Sequence, residues 1–203
     1  MQQKQGPRAN YFLLLHLSFC IPDFAEPENF CQQQVSMSES ITVIGIDPGS
    51  RNTGWGVVRE TSGVLSLVDC GVIRPPLQGA FSERLGFIFR ELSNVLIRLK
   101  PDEASVEQVF TAKNAATALK LGQARGAAIA ALAAHGLSVR DYEPTVIKKS
   151  LVGVGGAEKS QVSFMVGKML GVRPDWAVDT GDALAAAICH LTVRRFERLA
   201  RLR

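Results

Sequence analysis

Ile41-Thr42-Val43-Ile44-Gly45-Ile46-Asp47 is the stretch that decides the fold. Its apolar, largely β-branched run ends at an acid and a Pro48-Gly49 turn, the pattern of a strand buried in a sheet. Residues 53–59 follow after a tight turn and read as a second strand, and residues 64–74 as a third. Links this short permit only antiparallel hairpins. The period then changes. Leu85, Ile88, Phe89, Leu92, Leu96 and Leu99 mark one face of a helix over residues 81–100, and Pro101 stops it. Residues 104–110 read as a fourth strand, 114–135 as an Ala-rich helix closed by Gly136, and 137–142 as a fifth strand limited by Pro144. A short helix over 145–151, a glycine turn at Gly153-Val154-Gly155-Gly156, a helix over 157–170 and a last helix over 176–199 complete the chain. This order predicts an α/β fold. Three antiparallel strands are joined by parallel strands, reached through right-handed crossovers, in a five-stranded mixed sheet flanked by helices.

Upstream of this pattern, residues 1–39 differ in character. They are rich in Gln, hold no strand or helix period, and are expected to be a disordered leader or an over-long start ahead of Met37. The apolar run over residues 11–22 is too short to span a bilayer. It resembles the core of a signal peptide, yet Asp23-Phe24-Ala25 lacks the small-x-small cleavage pattern. The leader carries two basic against four acidic residues, so residues 40–203, the expected folded domain, hold a net +6 within a chain of net +4. A basic fold of ordinary composition, 46% apolar and 21% charged, excludes a disordered or fibrous protein and favours a polyanionic partner. Cys20, Cys31, Cys70 and Cys189 form no C-x-x-C pair and have no histidine at metal spacing, so they read as reduced thiols.

The chemistry lies in four acids. Asp47 ends an apolar strand, where a lone buried carboxylate costs several kcal/mol as an order of magnitude; the plain alternative is a turn aspartate bonded to the Pro48-Gly49 backbone. Glu107, between Val106 and Gln108, is otherwise an outward-facing edge charge. Asp179 and Asp182 stand three apart at the start of the last helix, on one face, where helix capping is the competing role. If the fourth strand lies beside the first, Asp47 and Glu107 point to the same end of the sheet, and the last helix can lay Asp179 and Asp182 over that end. Such an all-oxygen, anionic cluster suits hard divalent cations, Mg²⁺ first and Mn²⁺ second. Two of them about 4 Å apart can clamp a phosphodiester.

The motifs G-I-D-P-G-S-R-x-T-G over 45–54, E-Q-V-F-x-A-K-N over 107–114, A-L-K-L-G-Q-A-R-G over 118–126, G-V-G-x-A-E-K-S-Q-V over 153–162 and D-x-x-D-A-L-A-x-A-I-x-H over 179–190 occur in this order. Together they resemble the RuvC family of bacterial crossover junction endodeoxyribonucleases, which have a ribonuclease H-like fold. The resemblance runs from about residue 41 to 190. It implies a cytoplasmic homodimer with no membrane segment that cuts four-way DNA junctions by paired nicks, leaving 5′-phosphate and 3′-hydroxyl ends. It also implies cooperation with a branch-migration helicase. By motif position it makes Asp47, Glu107, Asp179 and Asp182 the catalytic, metal-binding acids, with two Mg²⁺ per subunit. Lys148 and Lys159 match phosphate-contacting lysines, Lys159 among the catalytic groups. Phe110 matches an aromatic at the junction centre, where a ring can stack on an unpaired base, and Lys113 a DNA contact.

Three other readings compete. A sugar-kinase or actin-like ATPase also sets a D-x-G loop after a strand, but such proteins duplicate the domain, and the 164 residues from Ser40 to Arg203 are too few for two copies. A non-catalytic binder of structured DNA would have no need of all four acids. A ribonuclease H-like nuclease acting on another branched substrate is separated only by its rates on junctions, forks and RNA–DNA hybrids.

Overall fold

Alternation along the first strand sorts its residues between two cores. In the computed structural model, which describes residues 40–108 and 114–201, strand β1 (Ser40–Asp47) is antiparallel to β2 (Thr53–Thr61), and β2 to β3 (Val64–Ile73). Helix α1 (Phe81–Leu99) crosses to β4 (Glu103–Glu107), which lies parallel to β1. Helix α2 (Ala115–Ala134) crosses to β5 (Ser138–Tyr142), parallel to β4. Helices α3 (Pro144–Val152), α4 (Lys159–Leu170) and α5 (Val178–Arg201) follow. The sheet order is β3-β2-β1-β4-β5, the five-stranded mixed sheet expected. The leader over 1–39, and with it Cys20 and Cys31, lies outside the described residues, as do Phe110 and Lys113.

Side chains two apart on a strand share a face. Ile44 and Ile46 therefore pack with Trp55, Val57, Ala104 and Val106 under α1 and α2. Ile41 and Val43 face the other way, into a core with Val58, Tyr142 and the buried side of α3, α4 and α5. Ile44 and Ile46 are fully buried, each contributing about 2–3 kcal/mol of hydrophobic burial. Helices α3 and α4 end on glycines in the left-handed region, Gly153 at φ +85° and Gly171 at φ +68°, where a Cβ would be strained.

Helix α5 holds the assembly together. Its residues from Thr180 to Leu191, apart from Asp182, are buried, because it runs across the middle of the sheet. Most element boundaries differ from the sequence expectation by one to three residues, and three of them bear on the site. β4 stops at Glu107, although the Gln108 N–H still donates to the Tyr142 carbonyl at 2.8 Å. α4 starts at Lys159, because the Glu158 N–H donates to Gln161 Oε1 at 2.9 Å and so caps the first turn. α5 starts at Val178, because Trp176 packs against Gly181 in the segment before it. Cys189 is a buried free thiol and Cys70 a half-buried one, and burial pushes both thiols up from their ordinary value.

A polar chain crosses the α5 side of this core. His190, 4% exposed, holds its Nε2 2.6 Å from Glu103 Oε2. With Nε2 donating to the carboxylate, Nδ1 is left to accept the Tyr142 hydroxyl at 3.1 Å. Arg194 Nε donates to Glu103 Oε1 at 3.0 Å. Burial alone raises the Glu103 carboxyl, but the hydrogen bonds from His190 and Arg194 and the charge of Arg194 outweigh it and hold the group below its ordinary value of 4.5. A carboxyl lowered by folding contributes stability that is complete above its unfolded value and lost as pH falls through its folded one. The melting-temperature gap between the wild type and Glu103→Gln is therefore expected to be wide at pH 7 and to close below pH 4.5. Thermal melts of both proteins across that range check it; a gap independent of pH would remove the carboxylate from the argument.

Candidate active site

Asp47 and Glu107 close two neighbouring strands. β1 and β4 run parallel with Ile46 beside Val106, so one residue further on the two acids leave the sheet side by side. Alternation turns both toward α5, since Gly45 and Ser105 precede them on that face. Across β1, Asp47 pairs in register with Gly54 of β2.

Glycines bring α5 down onto this edge. A Cβ on Gly54 would sit 2.0 Å from the Asp179 carbonyl oxygen, and one on Gly45 2.0 Å from the Ala183 carbonyl oxygen. On Gly56 it would meet Leu184 Cδ2 at 2.5 Å. Only hydrogen at these three positions lets the helix backbone rest on the sheet. The sequence reading used Gly45 and Gly54 merely as letters of a motif. Glycine inside a strand, a mark of close backbone approach, was the available signal for their role.

The first turns of α5 consequently hang Asp179 and Asp182 over the two strand ends. Burial is the largest cause that pushes Asp47 up to about 8, followed by the negative charges of Glu107, Asp182 and Asp179, with Lys159 pulling the other way. Glu107 is pushed up to about 7, first by burial and then by Asp182, against Lys159 and Lys148. The other three acids thus act on Asp47 and Asp182 acts on Glu107 as well, with Lys159 and Lys148 opposing them. Lys159 Nζ donates to Asp182 Oδ2 at 2.7 Å, which raises the lysine above its ordinary value. Lys148 and Lys159 flank a pocket of about 150 Å³ with Glu107 and Asp182; Ile147, Val162 and Ala185 give it an apolar floor. Lys148 rather than Lys149 lines this pocket.

Among the described residues no three His, Cys, Asp or Glu side chains are drawn into a finished metal cage. Asp47 and Glu107 are half-buried, and Lys159 holds an oxygen of Asp182. The donor chemistry nonetheless fits a hard cation. It is all carboxylate oxygen, and the charge that raises Asp47 and Glu107 is what a divalent ion would relieve.

The family model described as crossover junction endodeoxyribonuclease RuvC matches residues 43–190, the span that contains the end of β1, all of β4, α3 and α4, and most of the buried part of α5. The chain belongs to the RuvC family. A RuvC from Lawsonia intracellularis is 68% identical over 163 residues, 80% of this chain and 97% of that protein. One from Oleidesulfovibrio alaskensis is 69% identical over 163 residues, 80% and 98% of the two chains. Among solved structures, Thermus thermophilus RuvC in complex with a Holliday junction substrate superposes with a TM-score of 0.70 at 32% identity, covering 77% of this chain and 96% of that one. A yeast mitochondrial Holliday junction resolvase at 9% identity and a TM-score of 0.56 shares the fold. The RuvC match includes Asp47, Glu107, Asp179, Asp182, Lys148 and Lys159, all within the span of the family model.

Proposed function

We propose that this chain is a crossover junction endodeoxyribonuclease that resolves four-way DNA junctions in recombination and repair. It does so by paired phosphodiester hydrolysis, leaving 5′-phosphate and 3′-hydroxyl nicks. The observation that carries this reading is the meeting of four acids from β1, β4 and α5 beside two lysines, in a chain of the RuvC family. Asp47, Glu107, Asp179 and Asp182 would hold divalent metal, two Mg²⁺ per subunit with Mn²⁺ as substitute. Such ions supply positive charge for the phosphate and acidify water near neutral pH.

The remaining work falls to the chain. Lys159 Nζ, already held at the site by Asp182, donates to a phosphate oxygen and offsets the charge that develops there. Lys148 contacts the phosphate from the other side of the pocket, whose apolar floor limits water around the reacting group. Asp179 and Asp182, fixed by the seating of α5, orient the acids beneath them. Phe110 and Lys113, beyond β4, would meet the junction centre by stacking and by charge. Paired nicks need two sites, so the active form is a homodimer, and a branch-migration helicase delivers the junction. The reading locates the protein with its DNA in the cytoplasm; no helix among the described residues is long and apolar enough to cross a membrane.

The test is Mg²⁺-dependent cleavage of a synthetic movable junction by the wild type beside Glu107→Gln. Symmetric nicking by the wild type alone supports the reading. Equal cutting by both, or faster cutting of forks or RNA–DNA hybrids, overturns it. Removing the charge of Lys159 with Lys159→Gln is expected to slow nicking about 10- to 100-fold without loss of fold, the scale of losing one electrostatic stabiliser. Single-turnover rates and a thermal melt of that variant check both halves.

A further inference from the structure

A groove of about 520 Å³ lies at the end of the sheet where β4 and β5 begin, not at the acids. It is lined by Arg140, Arg194, Arg198 and Arg201 against the carboxylates of Glu103 and Glu197, with Ser138 and Val139 of β5 along one wall. An α-helix rises about 1.5 Å per residue, so Arg201 stands about 28 Å along α5 from Asp182.

Two features define what the groove accepts. The first is charge. Guanidinium groups outnumber carboxylates two to one, and the ion pairs within the groove pre-set their positions. Arg140 Nη1 donates to Glu197 Oε1 at 2.9 Å while its side chain stays 44% exposed, and Glu103 is tied to Arg194 and to buried His190. A guanidinium has five N–H donors, so one carboxylate does not exhaust it. The second is the backbone. β5 is the last strand of the sheet and pairs only with β4 among the described residues, so its outer edge is a row of donors and acceptors without a strand partner.

We propose that this groove docks an extended acidic segment of a partner protein, which adds a strand along β5 and sets its carboxylates on Arg140, Arg198 and Arg201. A nucleic-acid strand fits less well. Glu103 and Glu197 repel a phosphodiester backbone but can pair with a lysine of a peptide, and only a peptide uses an open strand edge. The proposal is independent of the nuclease reading.

The probe is an isotope-labelled protein titrated with a decapeptide of alternating Glu and Val, beside a Lys-Val decapeptide and a ten-nucleotide oligothymidine. The acidic peptide is expected to shift the backbone amides of Ser138, Val139 and Arg140. Its affinity should fall at least about tenfold with Arg201→Glu, an exposed position whose exchange leaves junction nicking within about twofold of the wild type. It should weaken likewise in about 0.5 M salt, where exposed charges are screened within a few ångströms. Asp47→Asn should bind the peptide as the wild type does, so failure here stays separate from failure of the nuclease assignment. Oligothymidine shifting the same amides and displacing the peptide would make the groove a nucleic-acid site and overturn the proposal. Absence of amide shifts at millimolar peptide, or equal binding of the Lys-Val peptide, would overturn it too.

Discussion

Asp47→Asn is expected to lower junction nicking about a thousandfold or more while junction binding and fold survive. That is the scale on which losing one member of an electrostatic catalytic cluster acts. The same substitution should stabilise the metal-free protein. Burial and three neighbouring acids push Asp47 up to about 8, and Glu107 stands at about 7, against ordinary values of 3.8 and 4.5. Between about pH 4 and pH 8 the folded state therefore binds more protons than the unfolded one, so stability in chelator falls as pH rises across that window. Asn removes the Asp47 charge and relieves Glu107. In chelator its melting temperature should exceed that of the wild type at pH 8, and the two should converge toward pH 4. A variant that still nicks at a comparable rate, or melts below the wild type at pH 8, would place Asp47 outside a repelling catalytic cluster.

The second large effect concerns a hydrogen atom. Gly45→Ala puts a methyl group 2.0 Å from the Ala183 carbonyl oxygen and 2.7 Å from the Ala187 nitrogen, both helix backbone. No side chain is there to swing aside, so α5 must lift from the sheet. Overpacking of this kind costs about 3 kcal/mol, or about 10 °C of melting temperature for a chain of this size. Gly54→Ala meets the Asp179 carbonyl oxygen in the same way, directly at the first turn of α5. It should weaken Mg²⁺ binding and nicking beyond what its loss of stability accounts for. Gly122→Ala in α2, with nothing within 4 Å, is the control and should be neutral or mildly stabilising. Calorimetric Mg²⁺ titration beside thermal melts of the three variants checks this. If Gly54→Ala binds metal as tightly as Gly122→Ala, the seating of α5 does not govern the site.

The acidic strand end at Asp47, the α1 stripe and the last helix were all readable, because each rests on neighbours within a few residues. Boundaries failed where a cap or a packed side chain decided them. Glu158 capping moved the start of α4, and Trp176 against Gly181 delayed α5. The Glu103–His190–Tyr142 chain was not read at all. Its members lie 87 and 48 positions apart along the chain, and no local pattern marks them as partners. Spacing put Asp179 and Asp182 on one helical face, but it left open which strand ends that face would meet.

Local chemistry in the sequence alone determined the order of strands and helices, the acids at their ends and, through five motifs, the family. Only the tertiary structure decided that β4 lies beside β1, that three glycines let α5 rest against the sheet, and that Lys159 rather than solvent faces Asp182. Periodicity is a property of adjacent residues, whereas the electrostatics of the cluster depend on ångström-scale distances between segments that meet only after the chain has folded.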